Sequence, residues 1–318
     1  MADSISIVDP DNAVGTDYTH LALWEAGEQT TVASGDRVMA NCRCTGGTED
    51  TYTTGVNIDG WTVNGRVVIY TEVEYRHRGI YPTSGNIYRL TNSHANDACI
   101  QNYENNVTID GIAMKSNNDS CFEDGVSNGL IVINCYGDGN NYTQRPYNVY
   151  CSVAGYVQIM INNFAFHGTF GFACGGVSNA IQHLYNNTAV ACSDDLFRTY
   201  SQICYIYNNV AQKRAQSGGS GRHYDAYGIV YDDTNHAETT GYSTNVDVNL
   251  ITGTLPLVND TTGDLRLTTG DTLVKGKGLD LSENAVYPFD FDAFGQKRGV
   301  FWDLGAHQVQ RTSYHMTV

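Results

Sequence analysis

The chain of 318 residues reads as an all-β solenoid of parallel strands, and two columns of recurring residues predict it. The first column is carried by seven segments, each a β-branched or aromatic run, then a carboxylate or amide, then a small or polar residue. They are Val56–Gly60, Val107–Gly111, Ile131–Cys135, Ile159–Asn163, His183–Asn187, Tyr205–Asn209 and Ile229–Asp233. From Asp110 the turn residue recurs at Asn134, Asn162, Asn186, Asn208 and Asp232, in steps of 24, 28, 24, 22 and 24 residues. Asp59 lies 51 residues before Asp110, room for two further steps. The second column is Cys99, Cys121, Cys151 and Cys174, which precede Asp110, Asn134, Asn162 and Asn186 by 11, 13, 11 and 12 residues. Phe197 takes the same slot, 11 before Asn208.

In such a coil equivalent residues stack about 4.8 Å apart. The Asn/Asp column is therefore expected to form a ladder of side-chain hydrogen bonds at a turn, where these residues tolerate unusual backbone angles. The cysteines are expected to stack inside the coil as small, reduced, mostly apolar side chains. Composition agrees: 33 glycines, 22 tyrosines, 5 prolines and 16% charged residues suit strands joined by tight turns.

Residues 1–35 read as an irregular lead followed by a helix. Thr19 can cap that helix, which runs to about Gln29 with Leu21 and Trp24 on one face. It is expected to cover the open end of the coil. Rungs fill residues 36–235, with Val67–Tyr70 an early one and the longest insertion at 137–148. The glycine-rich stretch at 217–221 reads as a loop within a rung, because the 24-residue step to Asp232 crosses it. After 236 the phase is lost, and residues 236–318 are expected to form a closing segment packed on the end of the coil.

The net charge of −16, from 18 basic and 34 acidic groups, opposes nucleic acid and anionic membrane surfaces as partners. Basic residues are scattered, and Lys213-Arg214 and Lys297-Arg298 are the adjacent pairs beyond the start of the coil. The N-terminus shows neither a basic start nor an apolar stretch, so no secretory signal is expected. Nine cysteines in that setting favour buried free thiols over disulfides or a metal cluster. Cys42 and Cys44 lack a second ligand pair at zinc spacing.

These rungs resemble the right-handed parallel β-helix of the pectin-lyase-like superfamily. Two further stretches resemble β-helix proteins encoded by tailed bacteriophages and environmental sequences. One is Val8-Asp9-Pro10 with the opening from Gly15 to Ala26. The other is the closing run from Gly263 to Leu267, then Gly276, Gly278, Asp292, Arg298 and Trp302–Ala306. The resemblance covers nearly the whole chain. It implies a phage or environmental setting, and together with the absence of a complete acid–base set the expectation is a non-enzymatic virion surface protein (a capsid decoration, fibre or spike component), made in the host cytoplasm, held by other virion proteins and open to assembly as a homotrimer. The alternative is a glycan-binding or glycan-cleaving β-helix, because the superfamily hosts hydrolases and lyases too.

Hydrolases of this fold use aspartates with a His and an Arg. The nearest set here is Asp194, Asp195, Arg198 and His167, without the Asn-Thr-Asp and Gly-His-Gly motifs of polygalacturonases. Lyases stack carboxylates on successive rungs around calcium. Counting two back from the cysteines puts Asp97 and Asp119 in one column, with Asp195 further along, as weak candidates for a structural calcium. No other cofactor is expected. Tyr142, Tyr147, Tyr150, Tyr156, Tyr200, Tyr205 and Tyr207 crowd the middle rungs, and those facing outward offer a platform for a surface glycan or a protein.

Overall fold

The structure, a computed structural model, describes residues 2–51, 55–92, 97–140, 145–200, 203–213, 221–239, 243–246 and 248–309. Three parallel sheets run the length of a right-handed coil. One turn shows the path: Val107–Asp110 in the first sheet, Ala113–Ser116 in the second, Phe122–Asp124 in the third, then Leu130–Ile133 back in the first. Among the described residues the sheets hold nine, nine and eight strands. Alternation does the sorting: Val107 and Ile109 are buried while Thr108 and Asp110 are half-exposed. The inner faces of all three sheets make one continuous apolar core.

The corner between the first and second sheets explains the asparagines. Asp110 pairs with Ile133, and Asp232 with Ile206. The true corner column is therefore Gly111, Asn134, Asn162, Asn186, Asn208 and Thr234, with φ between 50° and 79° throughout. A left-handed backbone favours glycine, or asparagine with its short polar side chain. The expected column was one residue early at Asp110 and two early at Asp232. Val56–Ile58 does not belong to it at all: this strand lies in the third sheet against Ile100–Asn102, and the first-sheet rung is Arg66–Tyr70. A β-branched run ending in a carboxylate closes strands in any sheet, so the motif alone cannot say which.

The residue after the corner builds a deeper ladder. Asn163, Asn187, Asn209 and Asn235 are fully buried. Each Oδ1 accepts the backbone N–H of the rung before it, over 3.0, 2.9 and 2.9 Å along the series from Asn163 to Asn235. Each Nδ2 donates to a strand carbonyl, those of Val132, Met160, Leu184 and Ile206. This is the hydrogen-bonded spine of the coil.

The four cysteines are buried but do not share one column. Cys99 and Cys121 are equivalent, since Ile100 pairs with Phe122. Cys174 pairs with Val149 and Thr199, and Cys151 with Gly176. Turns of unequal length separate the third sheet from the next corner, so a constant offset in sequence is not a constant position in space. Phe197 belongs to a stack of rings instead: Tyr147, Phe172, Phe197 and Tyr224 lie 4.8, 4.9 and 5.0 Å apart between centroids, with interplanar angles of 1°, 9° and 14°. All nine thiols are free and buried, and burial pushes those of Cys121 and Cys174 well above the ordinary range. Maleimide labelling of native protein is therefore expected to be slow at all nine and to go to completion on unfolding. Rapid native labelling of Cys99, Cys121, Cys151 or Cys174 would contradict their placement.

Both ends differ from expectation. The lead is not irregular: Asp3–Val8 pairs in parallel with Arg37–Cys42 as the first strand of the first sheet. The helix spans Leu21–Glu28 and buries Leu21 and Trp24, the latter against Trp61 at 5.7 Å between rings. Asp50, not Thr19, meets its first turn, accepting the Leu21 N–H at 2.9 Å. At the other end rungs continue past 235 through His236–Ala237, Ser243–Thr244 and Ile251–Thr252.

The tail then runs back along the flank rather than over the coil's end. Leu281 and Trp302 cover Ile159, Ile161 and Tyr185 on the outer face of the first sheet. Leu265, Ala293, Phe294 and Ala306 cover Ala113, Tyr136, Phe164 and Phe166 on the second. Arg298, buried, pins the strap by donating to Asn162 Oδ1 at 3.0 Å and to the carbonyls of Asp303 and Gly305 at 3.0 and 2.9 Å. Asn208 exchanges two bonds with Leu279, of 2.8 and 2.9 Å. The corner asparagines thus serve twice, turning the chain and docking the tail.

Candidate functional site

Among the described residues the tail covers the middle rungs of the first and second sheets, and the third sheet is the one it leaves bare. Its strands point alternate residues outward. Glu123, Asn148, Ala173, Arg198 and Asp225 form one outward column. Tyr150 pairs with Gly175 in the neighbouring column, and Tyr200 follows on the next rung, because Cys174 pairs with Thr199. Gly175 is required here. A Cβ on it would sit 2.8 Å from Tyr150 Cδ2, so glycine lets the Tyr150 ring lie down on the sheet. Tyr200 stacks on Tyr227 one rung later, at 5.4 Å and 11°.

Between Tyr150 and Tyr200 opens a cleft of about 150 Å³ with Ala173 and Gly175 in its lining. Phe170 lines one side, held between two guanidiniums: Arg198 lies 4.6 Å and Arg145 5.3 Å from the ring centroid. Arg198 also lies 4.7 Å from the Tyr200 ring. Such cation–π packing orients both arginines without neutralising them. Arg145 donates to Asn148 Oδ1 at 3.1 Å. The Nε of Arg198 is buried without a hydrogen-bond partner and stands 3.7 Å from Asp195 Oδ2. In a chain of net charge −16 this is a local concentration of positive charge beside exposed aromatic rings. The lining holds no carboxylate. The arrangement can grip a planar anionic group through charge-assisted bonds and stack an apolar ring face.

The expected catalytic set divides. Asp195 and Arg198 meet at the edge of the cleft, but Asp195 Oδ1 also accepts the Arg222 N–H at 2.7 Å. Burial raises the Asp195 carboxyl above its ordinary range. His167 faces Asp138 instead, at 3.2 Å. The Asp194 N–H donates to the Thr169 carbonyl of the preceding rung at 2.8 Å. Asp97 and Asp119 do stand on equivalent positions of adjacent rungs. Asp195, however, aligns with Ser120, one residue off that column. Asp119 Oδ1 accepts the Ser120 N–H at 2.7 Å, the bond of a turn. Among the described residues no three His, Cys, Asp or Glu side chains are grouped to hold a metal ion.

Of the tyrosines singled out, Tyr147 is in the interior stack, and Tyr205 and Tyr207 border the strap on the first sheet. Tyr150 and Tyr200 stand at the cleft. Tyr142 and the centre of the 137–148 loop lie outside the described residues. Arg145, Asn148 and Phe170 were not foreseen, because their meeting depends on the register of three rungs.

Among solved structures, the pectin methylesterase of Aspergillus niger in its deglycosylated form aligns over 88% of this chain and 94% of its own, with a TM-score of 0.51 and 10% identity. That likeness establishes a parallel β-helix. At 10% identity it shows the fold alone. The pectate lyase Pel9A aligns over 98% of this chain and 97% of its own at 14% identity, with a TM-score of 0.36. No protein-family model matches the chain, and no curated protein does.

Proposed function

We propose that this protein is a glycan-binding β-helix that holds an acidic saccharide in the cleft on its third sheet. The observation that carries the reading is the division of the surface. Among the described residues the tail covers the middle rungs of the first and second sheets, and the face it leaves bare presents Tyr150 and Tyr200 beside two arginines. Pectin-active enzymes share the fold, which agrees with a saccharide ligand. A sugar ring stacks its C–H face on a tyrosine, and its carboxylate takes two donors from Arg198 with Arg145 beside it.

Titration calorimetry with digalacturonate tests this. Binding is expected for the wild type, and Arg198→Ala is expected to weaken it at least about tenfold, the scale of a lost charge-assisted bond. No binding by the wild type, or unchanged affinity in Arg198→Ala, would overturn the reading. A second reading sets the same bare face on a tailed-phage particle, as a capsid decoration, fibre or spike component. It rests on the opening and closing segments, and mass spectrometry of purified particles tests it.

A further inference from the structure

One outward column of the third sheet alternates tyrosine and glycine. Asp124 pairs with Asn102 and Val149, and Cys174 with Val149 and Thr199, so Tyr103, Gly125, Tyr150, Gly175 and Tyr200 occupy successive rungs. The three tyrosines are 47%, 47% and 42% exposed in that order. The space over Gly125 is open, since a Cβ there would meet nothing within 4 Å. The alternation stops at Tyr200, because Tyr227 follows on the next rung and stacks on it with no glycine between. The cleft at Gly175 and the gap at Gly125 are two rungs or about 10 Å apart along the axis. An extended glycan advances by about one rung per sugar, so sugars at the two glycines are two units apart.

The two places are opposite in charge. Arg145 and Arg198 stand at Gly175. Glu123 stands beside Gly125, paired in register with Gln101 and Asn148. Burial, with the like charge of Asp119, raises the Glu123 carboxyl above its ordinary range. Exposed Asp59 precedes Tyr103 in the column, since Ile58 pairs with Asn102. Any glycan that carries an acid on every unit, or on every second unit, sets a carboxylate beside Glu123 once another is held by the arginines. Like charges in contact across an interface are penalised.

Resting on the reading above, we propose that the cleft takes the acidic end unit of an otherwise neutral linear glycan. The acidic unit lies between Tyr150 and Tyr200 against Arg145 and Arg198. The neutral units run along the column toward the N-terminal end of the coil. The second of them lies over Gly125, where Glu123 and Gln101 accept its hydroxyls, and the third reaches Tyr103.

Calorimetry at neutral pH decides it, with digalacturonate, tetragalacturonate and glucuronosyl-xylotriose, a neutral trisaccharide ending in one acidic unit. Glucuronosyl-xylotriose is expected to bind at least about tenfold more tightly than tetragalacturonate. Tyr103→Ala is expected to weaken glucuronosyl-xylotriose while leaving digalacturonate unchanged. Glu123→Gln, which keeps an acceptor for Asn148, is expected to tighten tetragalacturonate and leave digalacturonate unchanged; the latter also shows that the variant is folded. Failure of glucuronosyl-xylotriose to bind, tetragalacturonate binding as tightly or more tightly, or no gain for tetragalacturonate in Glu123→Gln would overturn the proposal. The cleft reading would survive those results if digalacturonate still bound and Arg198→Ala still weakened it. Failure of the wild type to bind any of the three would overturn both.

Discussion

Acidification from pH 7 to pH 4 is expected to unfold this protein. Four histidines are buried and a fifth, His307, is half-buried, and all five are held neutral: desolvation lowers His77 to about 3, and His183, His223, His236 and His307 to about 4. His77 shows how the neutral form is fixed. Its Nε2 faces the Asn134 carbonyl at 2.7 Å while its Nδ1 accepts the Gly79 N–H at 3.2 Å, with aromatic rings around it. In the unfolded chain these groups titrate near 6.5, so below that pH the unfolded state binds more protons. Their contribution to stability is fully present above pH 6.5 and is lost as pH falls toward 4. Each loses about 3 kcal/mol over that range, against a typical total stability of about 5–15 kcal/mol.

Asp124 works the other way. Enclosed with Asn102 and Gln158, its carboxyl is raised by burial to about 6, so its contribution is fully present below 3.8 and lost as pH rises through 6. It offsets roughly one histidine. Circular dichroism against pH should therefore show unfolding centred between about pH 4 and 5.5. A native spectrum retained at pH 3.5 would contradict the burial of these imidazoles.

Asn187→Leu is expected to destabilise the coil by about 3–6 kcal/mol, because one substitution removes four buried hydrogen bonds. The Asn187 side chain donates to the Met160 carbonyl and to Asn209 Oδ1, and its Oδ1 accepts from the backbone and side chain of Asn163. Water does not reach them, since Asn163, Asn187 and Asn209 are fully buried. Urea denaturation measures the loss. A change below about 1 kcal/mol would mean the ladder is not the spine of the fold.

The outer asparagines were legible in the sequence because they answer a local demand. Asn134, Asn162, Asn186 and Asn208 each take a left-handed corner, and that need shows as a repeated residue type. The more important ladder went unseen one residue later. After Asn162, Asn186 and Asn208, a second asparagine reads as another polar turn residue, and only the third dimension shows that Asn163, Asn187 and Asn209 point into the coil. The cysteine column failed for a related reason. Spacing counts residues, while register counts hydrogen bonds, and turns of unequal length separate the two.

The path of the tail has no period to reveal it. It depends on Arg298 reaching Asn162 across 136 positions of sequence. The site was half visible. Tyr150, Tyr200, Asp195 and Arg198 were all singled out, but as separate lists of aromatics and of catalytic groups. What joins them is Phe170, which holds Arg145 and Arg198 beside the tyrosines, and Gly175, which makes room for Tyr150.

The account's central claim is that the bare face of the third sheet is the recognition surface. A crystal structure of the protein grown with digalacturonate tests it most directly. The predicted result is a sugar ring against Tyr200 or Tyr150 with its carboxylate on Arg198. An ordered saccharide at the tail or on a covered sheet, or an empty third-sheet face at saturating ligand, would contradict it.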